Sequence, residues 1–274
     1  ADGTGATWRG DGQGIPLLYP ILISFPFRIG SPVDGYGLAK LLGVAVSSLV
    51  VVPVWLLARE LVGHRLALVV AALSVAGAWM SYSALLFSEN LALPLATASL
   101  CATVMALRRP GSRWIWVALA FAAAAVYTRV ILFAVPIAIL GALLLDVARQ
   151  PVPERRARAQ LHRLPLMLLG AAFGVGLVVF FAASTIGRYA LPEIGQLSIG
   201  GVAEQFAKHG LSLAVMTGGL PLVATLGLAL RGENWRDRDS GPLLAVLLPV
   251  LVVMLMAAAT FTDSIAVPWP IERY

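Results

Sequence analysis

The chain is expected to be an all-α polytopic membrane protein with about eight transmembrane helices and an interfacial helix ahead of the first. Three observations point there. Hydrophobic residues make up 59% of the 274 residues and charged residues only 12%, against about 25% charged in a soluble domain. Mean hydropathy is +0.86. The charges also fall between apolar runs: over residues 66–107 the only one is Glu89. A net charge of +6 and a pI near 10.0 would suggest nucleic acid in a soluble chain. In a membrane chain they read as arginine collected on the loops of one side, so no nucleic-acid partner is expected.

Residues 1–14 (ADGTGATWRGDGQG) are polar and glycine-rich and read as loop. Residues 15–29 are apolar but interrupted by Pro16, Pro20 and Pro26. That is too short and too broken to span, which takes about 20 apolar residues, so the stretch reads as interfacial or re-entrant, with Tyr19 and Arg28 near the headgroups. Residues 31–37 read as a turn, which makes 1–35 an outer loop with an interfacial segment. Charges then bound eight apolar runs: 41–58, 66–88, 90–107, 114–128, 130–145, 164–187, 209–230 and 240–262.

The runs on either side of Arg129 are short, and a single long helix through it is the alternative. Loop charge decides. With a turn at Arg129, thirteen of the twenty Lys and Arg residues fall on one side, as the positive-inside rule requires. A merged helix would move the most basic stretch, 147–163 (VARQPVPERRARAQLHR), to the outer side. That stretch therefore reads as the main cytoplasmic loop, a topology determinant in contact with anionic lipid. Gly170 and Gly174 form a GxxxG that permits close helix packing. Cys101, the single cysteine, lies inside an apolar run and excludes an internal disulfide. His64, His162 and His209 are far apart in sequence without metal-ligand spacing. No cofactor is called for, and a need for a divalent metal stays open.

This topology gathers Tyr19, Lys40, Glu89, Asn90, Arg129, Glu272 and Arg273 on the outer side, with Asp11 in the leading glycine loop. Lys40, Glu89 and Arg129 each abut an apolar run. Two readings stand at this point. A cation at the membrane boundary holds a phosphate, and a carboxylate there holds a hydroxyl, acts as a base or fixes a cation. In the plainer reading all three are interfacial residues reaching for water. Soluble-enzyme motifs such as a P-loop, GxSxG or HExxH do not occur in the sequence.

In these places the sequence resembles the GT-C membrane glycosyltransferases, above all the bacterial family-39-like enzymes related to protein O-mannosyltransferases and to the aminoarabinose transferase that modifies lipid A. Pro16-Leu17-Leu18-Tyr19-Pro20 is similar to that family's Pro-Pro-Leu-x-Tyr segment. Ala39-Lys40-Leu41-Leu42, with Leu56-Leu57-Ala58-Arg59-Glu60-Leu61-Val62-Gly63 at the end of the same run, resembles its Ala-Arg-Leu-Pro start and Leu-x-x-Arg-x-Leu-Phe-Gly end. Ser88-Glu89-Asn90-Leu91 resembles its Thr-Asp/Glu-x-Leu, Thr128-Arg129 its Thr-Lys/Arg, and Glu272-Arg273-Tyr274 its Arg-Tyr. The likeness runs over about 15–147 and more faintly beyond.

The resemblance implies a GT-C-like helix bundle and a sugar transferase. The donor would be a polyprenyl-phosphate-linked sugar, and a glycan, lipid or protein the acceptor, on the outer face of a bacterial plasma membrane. It implies phosphate binding by Lys40, Arg129, Arg273 and Tyr19, with Glu89 in a supporting catalytic role. The family's main catalytic carboxylate follows its first transmembrane helix, and is expected upstream of Ala1. Where the family often has Lys or His before Pro-Pro, this chain has Gly14 and Ile15, which shifts phosphate binding towards Lys40 and Arg129. A transporter or lipid flippase is the alternative, and a non-catalytic membrane scaffold a third. Charges at run ends rather than mid-span, and no visible repeat, favour the enzyme.

Overall fold

The computed structural model describes residues 7–8, 11–12, 18–29, 31–76, 85–182, 200–201, 203–208 and 227–265. Small residues decide which helix lies at the centre. Helix α5 (Glu89–Arg108) buries Ala92, Ala96, Ser99, Ala102, Thr103 and Ala106, and α6 (Trp114–Thr128) buries Ala118, Ala122 and Ala125. In lipid, burying apolar surface gives no gain over the bilayer, so helices hold together through close packing and interhelical hydrogen bonds. Side chains this short let the two backbones approach: Ser99 Oγ donates to the Ala118 carbonyl at 2.8 Å, a bond of about 0.6 kcal/mol in a membrane setting. The core is completed by Val135, Ile139, Ala142 and Leu143 of α7 (Ala134–Arg149) and by Ala245 and Val246 of the last described helix, Ser240–Ile265.

Gly141 marks a close approach between those two helices. A Cβ there would lie 2.9 Å from Pro249 Cβ. Gly141→Val is expected to pry the helices apart at a cost of about 1–3 kcal/mol, seen as a lower thermal midpoint in detergent.

Ahead of α5, a two-residue antiparallel ladder pairs Thr7–Trp8 with Asp11–Gly12. Helix α1 (Leu18–Ser24) and a 3₁₀ turn (Pro26–Arg28) follow, in the stretch read as interfacial. Helix α2 (Pro32–Ser48) leads almost directly into α3 (Val51–Val62), and α4 (His64–Ala76) turns back from α3 at Gly63, which has φ +78°. The turn expected over 31–37 is instead the start of α2. Ser31 is its N-cap, with Oγ accepting from the Asp34 amide at 3.2 Å, and Pro32 opens the helix.

Ion pairs and hydrogen bonds fix which helix ends meet. Ser47 Oγ donates to the Asn90 carbonyl, and Glu60 lies 3.5 Å from Arg108, so α3 runs parallel to α5. Helix α6 returns, and α7 runs back again. The arginine-rich ends of α3, α5 and α7 therefore collect at one end of the bundle, and Glu89 and Arg129 at the other.

Among the described residues, three helical stretches are long and apolar enough to cross a membrane: Pro32–Glu60, Glu89–Arg108 and Ile131–Arg149. At ~1.5 Å per residue α5 is about 30 Å long, the thickness of a bilayer core. The helices His64–Ala76, Trp114–Thr128 and Ser240–Met256 are apolar but shorter. Exposed Leu66, Leu68, Val69 and Leu73 on α4 give that helix an exterior suited to lipid rather than water. Of the remaining expected spans, 209–230 lies almost wholly outside the described residues.

The stretch 147–163 is mostly helix rather than loop. Only Gln150 and Pro151 separate α7 from α8 (Val152–Ala182). Its arginines are good helix formers, and Glu154 sits in the first turn of α8, where the helix dipole favours a carboxylate. Gly170 and Gly174 on α8 have nothing within 4 Å of an added Cβ, so the GxxxG is not used for packing among the described residues.

Candidate functional site

Arg129 ends α6. Its backbone is extended (φ −157°, ψ 121°), its amide still bonds back to Ala125, and a 3₁₀ turn (Val130–Phe133) leads into α7. This break swings the guanidinium to the start of α5, where Arg129 Nη1 forms an ion pair with Glu89 Oε1. Glu89 is the first residue of α5, where a carboxylate also complements the helix dipole. Both side chains keep about half their surface open, 42% for Arg129 and 53% for Glu89. Such a pair contributes only about 0–1 kcal/mol to folding. Its consequence is geometric: a guanidinium with five donors is held in place while nearly half of its side chain stays accessible.

Next to this pair lies a buried polar layer. Asn90 Nδ2 donates to the Leu85 carbonyl at 2.7 Å, and the Asn90 carbonyl accepts from Ser47. Tyr19, on α1, is 4% exposed and sits beside Asn90. Its hydroxyl makes no hydrogen bond of regular geometry, although the Asn90 side chain is close enough to act on it. Burial pushes the phenol pKa up, Asn90 pulls it back in part, and the Glu89 charge raises it further. Tyr19 is therefore a neutral hydroxyl, a donor and acceptor at the edge of the Glu89–Arg129 pair. Tyr19→Phe is expected to change stability by less than about 1 kcal/mol, because no well-formed hydrogen bond is lost; a denaturation curve of the variant checks this.

The other residues singled out in the sequence are placed differently. Lys40 lies inside α2 rather than at its boundary, because that helix starts at Pro32. Its ammonium stands 4.4 Å over the Tyr36 ring, a cation–π contact, and it makes no ion pair among the described residues. Seven residues before Ser47, it is ~10 Å along the helix from the level of Asn90. Asp11 lies in the short ladder, and Arg273 lies outside the described residues. Thus Glu89, Arg129 and Tyr19 come together, and Lys40 has no contact with them.

At the opposite end is a cluster that the sequence did not single out. Asp146, on α7, is fully buried. Arg158 Nε donates to its Oδ2 at 2.5 Å, Arg149 Nε donates to its Oδ1 at 2.8 Å, and His162 Nε2 lies 2.8 Å from Oδ2. Arg158 also donates to the Leu107 carbonyl and Arg149 to the Trp235 carbonyl, so one carboxylate ties α5, α7, α8 and α9 (Gly232–Arg236) together. Arg108 extends the network to Glu60 and to the Asp239 carbonyl, at 2.8 Å for the latter, at the start of α10 (Ser240–Ile265). A signal was present: Asp146 precedes Arg149 by three residues, one helical turn. The charge-bounded run 130–145 stops one residue short of it.

Among the described residues no group of three His, Cys, Asp or Glu is placed to hold a metal. No family model, curated protein or solved structure matches the chain.

Proposed function

We propose that the chain is a membrane glycosyltransferase, moving a sugar from a polyprenyl-phosphate donor to a glycan, lipid or protein acceptor on the outer face of a bacterial plasma membrane. The observation that carries this reading is Arg129, anchored by Glu89 and flanked by the buried Tyr19 hydroxyl, at the bundle end away from the arginine-rich turns. In the reaction the acceptor hydroxyl gives up its proton to a carboxylate and attacks the anomeric carbon. The bond from that carbon to the phosphate oxygen breaks, and the lipid phosphate leaves with its charge. Arg129 is the group that meets this charge, an arrangement that lowers the barrier when the donor is already in position. Glu89 orients the guanidinium. Lys40 and Arg273 belong to the same outer side in this reading and serve the phosphate at a greater distance.

A transporter or flippase is the second reading. It would need the bundle to open at both ends in turn. The Asp146 network ties four helices at one end with buried charge, and opening there would strand those charges, which favours the enzyme. The test is purified full-length protein in liposomes with a polyprenyl-phosphate donor labelled in its sugar. Acceptor-dependent release of unglycosylated lipid phosphate is the expected result. Translocation of the intact donor without cleavage would overturn the proposal.

A further inference from the structure

At the arginine-rich end, a cavity of about 210 Å³ lies between the α5–α6 turn and α8. Its wall is mainly apolar and includes Ile115, Trp116, Leu164 and Pro165. Among the described residues no Asp, Glu, Lys or Arg lines it. Both signs of charge are present at this end, in Arg109, Glu60 and Asp239, but they stay outside the wall. Ser112 touches the wall, yet its hydroxyl is shut off from solvent and offers an occupant nothing. The polar side chain that remains is His162.

His162 is 5% exposed, and its Nε2 lies 2.8 Å from Asp146 Oδ2. Arg149 and Arg158 also bond that group, so it is a carboxylate that can only accept. The proton of the contact is therefore on Nε2. In the neutral ring this makes Nδ1 an acceptor. Nδ1 makes no hydrogen bond among the described residues, and unlike Ser112 Oγ it is not shut off from solvent. His162 lines the cavity, so the free acceptor opens into it. A buried acceptor costs free energy until a donor reaches it. A second acceptor is close in sequence. Pro165 has no amide to give the Leu161 carbonyl four residues before it, and both residues line the cavity. Trp116 and Leu164 are about half exposed. From Arg155 to Arg163 helix α8 carries four arginines, and over 164–182 it carries no charge. The cavity thus opens where the headgroup level meets the apolar core.

We propose that this cavity binds the hydroxyl end of an uncharged lipid alcohol, of the diacylglycerol type, from the leaflet at the arginine-rich end. The hydroxyl donates to His162 Nδ1, and the carbons next to it lie along Ile115, Trp116 and Leu164. A phosphate is an acceptor itself and would meet an acceptor here with no cation on the wall. The volume is below the roughly 300–1,000 Å³ of sites that enclose a whole ligand, so the end of the molecule enters and its chains stay in the bilayer. The site is at the other end of the bundle from the Glu89–Arg129 pair and does not depend on the transferase reading.

Native mass spectrometry of the full chain, released from phosphatidylcholine nanodiscs doped with dioleoylglycerol, its acetate ester or phosphatidic acid, tests it. One dioleoylglycerol retained per chain is expected. The ester keeps the chains and lacks the donor, so its retention should be weaker by roughly two- to tenfold, the effect of one hydrogen bond. His162→Phe keeps a ring in the wall and leaves Asp146 its two arginines; in it the preference for alcohol over ester should vanish. That ratio is read on folded chains alone. Leu164→Trp narrows the mouth from an exposed position, away from Asp146, and should lower retention of alcohol and ester together. Equal retention of alcohol and ester by the unaltered chain would overturn the proposal, as would a preference that survives His162→Phe. Phosphatidic acid retained as well as dioleoylglycerol would refute an uncharged ligand. Displacement of dioleoylglycerol by glycerol alone would show a site for a water-borne alcohol and overturn the lipid assignment.

Discussion

Arg129→Ala is expected to lower sugar transfer by roughly 10²–10³-fold, the usual loss when one fixed donor to a developing negative charge is removed, with little change in stability. The two halves of this prediction come from the same geometry. Arg129 and Glu89 are both about half exposed, so water replaces their mutual attraction cheaply and the pair contributes about 0–1 kcal/mol to folding. In the proposed reaction the same guanidinium meets charge that appears only as the lipid phosphate departs. A group already in position needs no reorganisation at that moment. The loss therefore appears mainly in kcat, measured with saturating donor, while the thermal midpoint stays close to that of the unaltered protein. Glu89→Gln should give a smaller loss, because the cation remains and only its anchor weakens. Arg129→Lys should fall between the two, since a lysine keeps the charge without the planar fork.

Asp146→Asn is expected to have the opposite profile, a large loss of stability with catalysis retained by the molecules that still fold. Asp146 is fully buried and faces Arg149, Arg158 and His162. Removing its charge leaves two buried guanidinium groups without their counter-ion, at a cost of about 3–5 kcal/mol. The carbonyl contacts of Arg158 to Leu107 and Arg149 to Trp235 then lose the carboxylate that aims them, so α8 and α9 loosen from α5 and α7 together. Unfolding in denaturing detergent should start at a markedly lower concentration. Transfer per folded molecule should hold, since the Glu89–Arg129 pair is at the other end of the bundle.

The turn at Arg129 was legible from loop charge, because a basic residue in an apolar run either starts a turn or sits in a span, and the arginines at 149–163 allow only the first. Ser31 followed by Pro32 and Asp34 fits a turn and a helix start alike, and the helix that it opens puts Lys40 inside a helix rather than at a boundary. The contact of Tyr19 with Asn90 could not be read from the sequence. It joins residues 71 positions apart through the packing of α1, and no local pattern encodes that. The Asp146 network is intermediate. Its Arg149 partner is one turn away on the same helix, but Arg158 and His162 reach it only because α8 folds back against α7 after Pro151. Of the motifs that carry the resemblance, Leu56–Gly63 lies at this end, and it includes none of Asp146, Arg149, Arg158 and His162.

The central claim is that Arg129, held by Glu89, binds a lipid-linked phosphate. Equilibrium binding of a polyprenyl phosphate to the full-length protein and to Arg129→Ala measures it most directly. The account predicts saturable binding to the unaltered protein, at least tenfold weaker in the variant, as expected for loss of a charge-assisted contact of about 1.5–3 kcal/mol. Equal affinities would contradict it and leave the Glu89–Arg129 pair as an interfacial anchor.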